Sequence, residues 1–133
     1  VYLKKIKKLK IFGNNYNTID GTALRDFIHV SDLARAHLQA CNFIINKINI
    51  VERFNIGTGK GTTVLQLIQA FEKIEGVHIP YEFKKNRESD IGISIAKIDK
   101  AKKILFWEAK LSLDEMCKST INWINKKGFK INS

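Results

Sequence analysis

Residues 54–71 read FNIGTGKGTTVLQLIQAF, and this stretch decides the fold. An apolar run leads into glycines at 57, 59 and 61 and then into an apolar helix pattern. Strand, glycine-rich turn, helix is the order in which α/β folds build a ligand edge. Thr63, with Gln66 three residues on, forms a capping box. Val64, Leu67, Ile68 and Phe71 recur at helical spacing, and Gly76 is a C-terminal stop. A Walker A loop needs Ser or Thr after Gly-Lys, and Lys60 is followed by Gly61. A dinucleotide fingerprint needs G-x-G-x-x-G, and this is G-x-G-x-G. The loop therefore reads as a tight strand-to-helix turn beside a pocket.

Working toward the N-terminus, Phe27, Ile28 and Val30 suggest a short strand, followed by a helix capped by Ser31 or Asp32. Its apolar face is Ala34, Leu38, Cys41 and Ile45. Gly13 to Gly21 is a turn-rich loop suited to line a site, Leu9 to Phe12 a strand, and Val1 to Lys8 the end of a helix. Asn46 to Glu52 is a polar loop. Toward the C-terminus, Ile79 to Lys85 alternates as a strand, with Pro80 near its start as an edge position allows. Asn86 to Asp90 is a charged loop, and Ile93 and Ile95 fall in a short extended piece. Asp99 caps a helix through Leu105. Ser112 and Glu115 open a last helix with a second capping box, an inner face of Leu113, Cys117, Thr120 and Ile124, lysines 126 and 127 at its end, and a stop at Gly128.

A length of 133 residues is one domain or part of one. The first residue is Val1 and the only methionine is Met116, so a piece of something longer is expected. The formal net charge is +10. Such a balance raises nucleic acid or an anionic membrane as partners. Lys, Ile and Asn exceed a third of the chain, though, and Arg stands only at 25, 35, 53 and 87. A nucleic-acid surface more often uses arginine forks and clustered aromatics, so neither nucleic acid nor membrane is expected as a partner. No apolar run nears the roughly 20 residues of a membrane span. Cys41 and Cys117 read as small core residues of a reducing compartment, and the cytoplasm is the expected location. His29 and His37 read as structural. No paired carboxylates, zinc spacing or Ser-His-Asp order stands out, and no lysine-assisted tyrosine base is expected.

The arginines do stand out. Arg25 and Arg87 both sit in loop stretches beside carboxylates. A guanidinium fork matches phosphate bidentately where Lys offers a point charge. Two forks suit a pyrophosphate, with Asp26 and Asp90 orienting them or Asp90 accepting from a sugar hydroxyl. Two surface ion pairs, worth about 0–1 kcal/mol each, fit the same spacing.

Four stretches together carry a family resemblance: IFGNNYNTIDGTALRDFIHVSDLARAH from Ile11, FNIGTGKGTTVLQLIQAFEK from Phe54, IPYEFKKNRESDI from Ile79 and LSLDEMCKSTINW from Leu111. The chain resembles the C-terminal portion of the UDP-glucose 4-epimerases, which are extended short-chain dehydrogenase/reductases. Dehydratases and decarboxylases of nucleotide sugars are the next resemblance. The resemblance implies an α/β fold over residues 1–133: the partial, C-terminal substrate-binding lobe, with the strand near Phe54 at the edge of the NAD-binding Rossmann sheet of the other lobe. It implies that NAD, on that N-terminal lobe, takes a hydride from sugar carbon 4. The keto sugar then turns over, and the hydride returns to its other face. UDP-glucose and UDP-galactose are the implied substrates, and a homodimer through the NAD lobe is the implied assembly. By resemblance Arg25 and Arg87 grip the UDP phosphates, Asp90 meets the ribose, and Phe12 and Val64 surround the nucleotide. No catalytic or NAD-binding residue is implied here, so this piece alone is expected to be inactive and to fold poorly. Asn86, Phe27 and Ser94 depart from the Arg, Tyr and Tyr usual in the family.

Overall fold

The computed structural model describes residues 7–45 and 47–127. The helix expected over Val1 to Lys8 falls mostly on residues 1–6, which lie outside the described residues, as does the stop at Gly128.

Five short strands and four helices follow in the order β1 (Leu9–Phe12), β2 (Leu24–Arg25), α1 (Val30–Ile44), β3 (Thr62–Thr63), α2 (Val64–Glu75), β4 (Tyr81–Lys84), β5 (Ile93–Ser94), α3 (Asp99–Leu105) and α4 (Leu113–Lys127). They make two small sheets. β1 pairs parallel with β4, Leu9 opposite Tyr81 and Phe12 opposite Lys84. β2 lies between β3, antiparallel, and β5, parallel. Pro80 precedes β4 and only its carbonyl is used, accepting from Leu9 N–H at 2.8 Å.

Helix α2 keeps the expected ends. Thr63 accepts from Gln66 N–H, Gln66 returns the bond to Thr63 N–H at 2.9 Å, and Gly76 closes the helix at φ +65°. The Ser112–Glu115 box opens α4 in the same way. α2 packs on α4. α1 packs on α3 around Ala36, Ala101, Leu105 and Trp107, with Phe43, Phe54 and Ile56 against them.

Several expectations give way. No strand forms at Phe27 to Val30. The ladder sits three residues earlier, on Leu24–Arg25. His29, not Ser31 or Asp32, caps α1, its Nδ1 accepting from Ser31 N–H at 3.0 Å. Asp32 turns inward instead, fully buried, to accept from the Lys110 and Leu111 amides at 3.0 and 2.9 Å and from Arg35. That pins the helix rotation, because the residue one turn on, Ala36, must then face the core. Ala34, Leu38, Cys41 and Ile45 are therefore exposed, and so Cys41 is no core residue. α1 carries apolar residues on two faces, and periodicity alone did not rank them. In α4, Ile121 is buried where Thr120 was expected, and Thr120 is exposed. Asp99 is the first residue of α3 rather than its cap, which is Ile98. Phe54–Gly57 pairs with no strand among the described residues, where the expected partner was the sheet of the other lobe; its apolar side chains pack into the α1–α3 core.

Candidate functional site

The glycine-rich loop holds an anion, and the anion belongs to the chain. Asp26 follows β2. Its Oδ1 accepts from Thr58 N–H at 2.7 Å and Thr58 Oγ1–H at 2.5 Å. Its Oδ2 accepts from Gly59 N–H at 2.9 Å and Ala96 N–H at 3.2 Å. Gly59 needs its positive φ of +72°, and a Cβ on Gly57 would collide with the Asp26 carboxylate and the Ala96 methyl. Amides of the kind that in other α/β loops face a ligand phosphate are thus committed to a side chain. The loop does not fit a dinucleotide, and no step through NAD is assigned to residues of this chain. Asp26 does not orient Arg25, as the sequence suggested.

Arg25, at the end of β2, donates from Nη1 to Leu24 O at 3.0 Å and to Gly92 O at 3.3 Å. It lines an open cavity of about 510 Å³ with Asp26, Asn55, Ser94 and Ala96. Arg87 is not among the walls of that cavity. It stacks on Phe12, its guanidinium carbon 3.9 Å from the ring centroid, a cation–π contact at the end of β1. Asp90 N–H donates to Arg87 O at 3.2 Å, folding residues 87–90 into a turn. Val64 opens α2, half-buried, with its N–H donating to Ala23 O at 3.1 Å beside β2. The structure therefore joins Phe12 to Arg87, and ties Arg25 to Gly92, two residues past Asp90. It does not bring the two arginines into one cavity. Nor does it show the two surface ion pairs: among the described residues, no carboxylate lies within ion-pair distance of Arg25 or Arg87. Each ion pair found uses another cation.

Asp20 secures the loop before β2. Burial works to raise its carboxyl, but hydrogen bonds from the Thr63 and Thr22 hydroxyls and the Thr22 amide outweigh it and hold it below its ordinary value. The same carboxylate thereby fastens residues 18–22 to the start of α2, where Val64 sits. Asn86 donates to Asn15 Oδ1 at 2.9 Å, joining the 86–92 loop to the Gly13 loop. Sequence reasoning missed Asp26 as the loop's anchor and Asn55 as a cavity wall. The signal was available: amides of a glycine loop need an acceptor, and Asp26 adjoins the arginine singled out.

Both histidines have structural partners, His29 Nε2 with Ser119 Oγ at 2.8 Å and His37 Nδ1 with Leu33 O at 2.8 Å. One Tyr-x-x-x-Lys spacing does occur, Tyr81 to Lys85, contrary to expectation. It starts on strand β4, where four residues span ~13 Å, so phenol and ammonium do not pair as a base. No group of three or more His, Cys, Asp or Glu suited to a metal occurs among the described residues. No helix there is long and apolar enough to cross a membrane. A hollow of about 540 Å³ beside Arg35, Lys102 and Trp107 contains none of the site residues above.

The family model for GDP-mannose 4,6 dehydratase matches residues 2–120, and the chain belongs to that family. Within it, the chain is 43% identical over 132 residues to a UDP-glucose 4-epimerase of Bacillus subtilis, covering 98% of this chain and 39% of that protein. It is similar to the structure of UDP-glucose 4-epimerase from Bifidobacterium longum in complex with NAD+ and UDP. The TM-score is 0.88 and the identity 40%, over 95% of this chain and 37% of that one. It is also similar to a UDP-glucose 4-epimerase with UDP-glucose from Thermotoga maritima, at TM-score 0.73 and 38% identity, over 90% of this chain and 35% of that one. The chain thus spans under two fifths of the length of these relatives.

Proposed function

We propose that this chain is the UDP-sugar-binding portion of a UDP-glucose 4-epimerase. Arg25 and Arg87 meet the diphosphate, Phe12 and Val64 border the nucleotide, and Asp90 accepts from the ribose. The supporting observation is the pair of guanidinium groups without carboxylate partners among the described residues, at one loop: Arg87 within it and Arg25 bonded to its Gly92 end. A desolvated diphosphate supplies the negative charge these forks are shaped to receive. Bound NAD would supply the hydride acceptor, held by the length of the relatives that this chain does not match. The catalytic acid and base belong there too. The apolar stripe on α1, with Val30, Leu38 and Ile45 exposed, is suited to pack against that remainder. UDP-glucose and UDP-galactose are the proposed substrates, a homodimer the proposed assembly, and the cytoplasm the proposed location.

Calorimetric titration of the purified protein with UDP tests the reading. Saturable heat is expected, weakened by Arg25→Ala and by Arg87→Ala. No saturable heat, together with binding to mixed-sequence DNA that falls steeply with salt, would replace this reading with nucleic-acid binding.

A further inference from the structure

We propose that Asp26 is the positioning residue of the diphosphate site, acting through the backbone segments that wall the cavity beside Arg25 rather than by touching ligand or the guanidinium. This rests on the sugar-nucleotide reading above. Asp26 is the next residue after Arg25, and its amide donates to Ser94 O at 3.1 Å, extending the β2–β5 pairing by one bond. Its carboxylate then reaches Ala96, a further wall of the same cavity, and Thr58 and Gly59, which follow the Phe54–Ile56 wall in the chain. One oxygen takes both donors of Thr58, two residues past the Phe54–Ile56 wall, and the other takes the Gly59 and Ala96 amides. One side chain therefore sets the spacing of three chain segments around Arg25.

The chemistry requires a carboxylate. All four donors carry hydrogens, and two acceptor oxygens meet them. An amide in its place offers one oxygen and one NH₂ group, which confronts at least one N–H and leaves it without an acceptor. Glycine at 57 keeps the carboxylate against the backbone, since any side chain there would displace it. The Phe12–Arg87 edge, on β1 and the 86–92 loop, receives no hydrogen bond from Asp26.

The test compares two probes, UDP and uridine, by calorimetry on the purified wild-type protein, Asp26→Asn and Thr58→Val, with a thermal melt of each. Asp26→Asn is expected to weaken UDP about tenfold, the scale of one charge-assisted hydrogen bond, and to change uridine affinity less than twofold. Thr58→Val removes one of the four donors, keeps the carboxylate, and is expected to weaken UDP about threefold with uridine unchanged. It carries the test alone if Asp26→Asn does not fold. Wild-type protein without saturable UDP binding overturns the sugar-nucleotide reading, and this inference with it. Wild-type binding that the folded variants match overturns the inference alone. So does an equal loss of UDP and uridine, which is what a general structural role would give.

Discussion

At the glycine-rich loop, the amides of Thr58 and Gly59 donate to a carboxylate of the same chain. At the loop after β4, the guanidinium of Arg87 rests on an aromatic ring and has no carboxylate partner among the described residues. Both places offer groups that suit an anion, and they differ in whether the chain already provides one. The internal arrangement gains rigidity: an acceptor with four short, fixed donors has one geometry. The open arrangement keeps its charge for recognition. Asp32 belongs with the first kind, buried and bonded by Lys110, Leu111 and Arg35. Stability and binding should then separate by residue.

The largest expected effect tests that separation. Asp32→Ala removes a fully buried carboxylate and leaves two part-buried amides and a guanidinium without their acceptor, at a cost of about 3 kcal/mol. Arg87→Ala, at an exposed position, should move stability by less than about 0.5 kcal/mol. Urea unfolding of both variants checks this. A midpoint shift for Arg87→Ala as large as that for Asp32→Ala would break the contrast.

Acid should act on the same side of the division. Burial works to raise the Asp32 carboxyl, but the Leu111 amide, Arg35 and the Lys110 amide outweigh it, and its value is lowered. Asp20 is lowered as well. A lowered folded value means that these groups stabilise the fold above the ordinary carboxylate range, near pH 4. That contribution is lost as pH falls through their folded values. Stability followed from pH 6 to pH 2 should therefore decline, less steeply in Asp20→Asn than in wild type. An identical slope in the variant would remove Asp20 from the argument.

At the open loop, Arg87→Lys keeps the charge and removes the fork and the flat face stacked on Phe12. UDP affinity should fall five- to tenfold, about 1–1.4 kcal/mol, with stability unchanged. Unchanged UDP affinity on titration would mean that a point charge suffices there and that the fork has no role.

Much of this was legible in the sequence where a local rule decides the outcome. The capping boxes at Thr63 and Ser112 and the stop at Gly76 depend on neighbours three or four residues away, and all three stand. β1 matches its expected span. What was not legible depends on partners far along the chain. The rotation of α1 is set by Asp32 meeting residues 110 and 111, so its inward face was misassigned. The Phe54 segment has no strand partner among the described residues, and the pairing expected of it is with the sheet of the other lobe; its apolar side chains pack into the α1–α3 core. For the site, residue chemistry picked out Arg25 and Arg87 among many lysines. It did not foretell that Asp26 would turn from the arginine to the glycine loop 32 and 33 residues away.

The smallest expected effect lies away from both loops and sharpens the contrast for that reason. Phe106 ends α3 in the left-handed region, at φ +50°, with its side chain 90% exposed. A residue with a Cβ costs roughly 1–2 kcal/mol in that conformation, and glycine does not. Against that, glycine gives the unfolded chain more freedom, worth roughly 0.5–1 kcal/mol. The exposed ring contributes little burial to lose. Phe106→Gly should therefore stabilise the fold by about 0.5 kcal/mol, read as a small rise in melting temperature, with UDP affinity unchanged. Because the position touches neither the Asp26 seat nor the Phe12–Arg87 stack, a change in UDP affinity from it would mean that the open site responds to global stability after all. The division between groups that hold the fold and groups that bind would then fail at its weakest test.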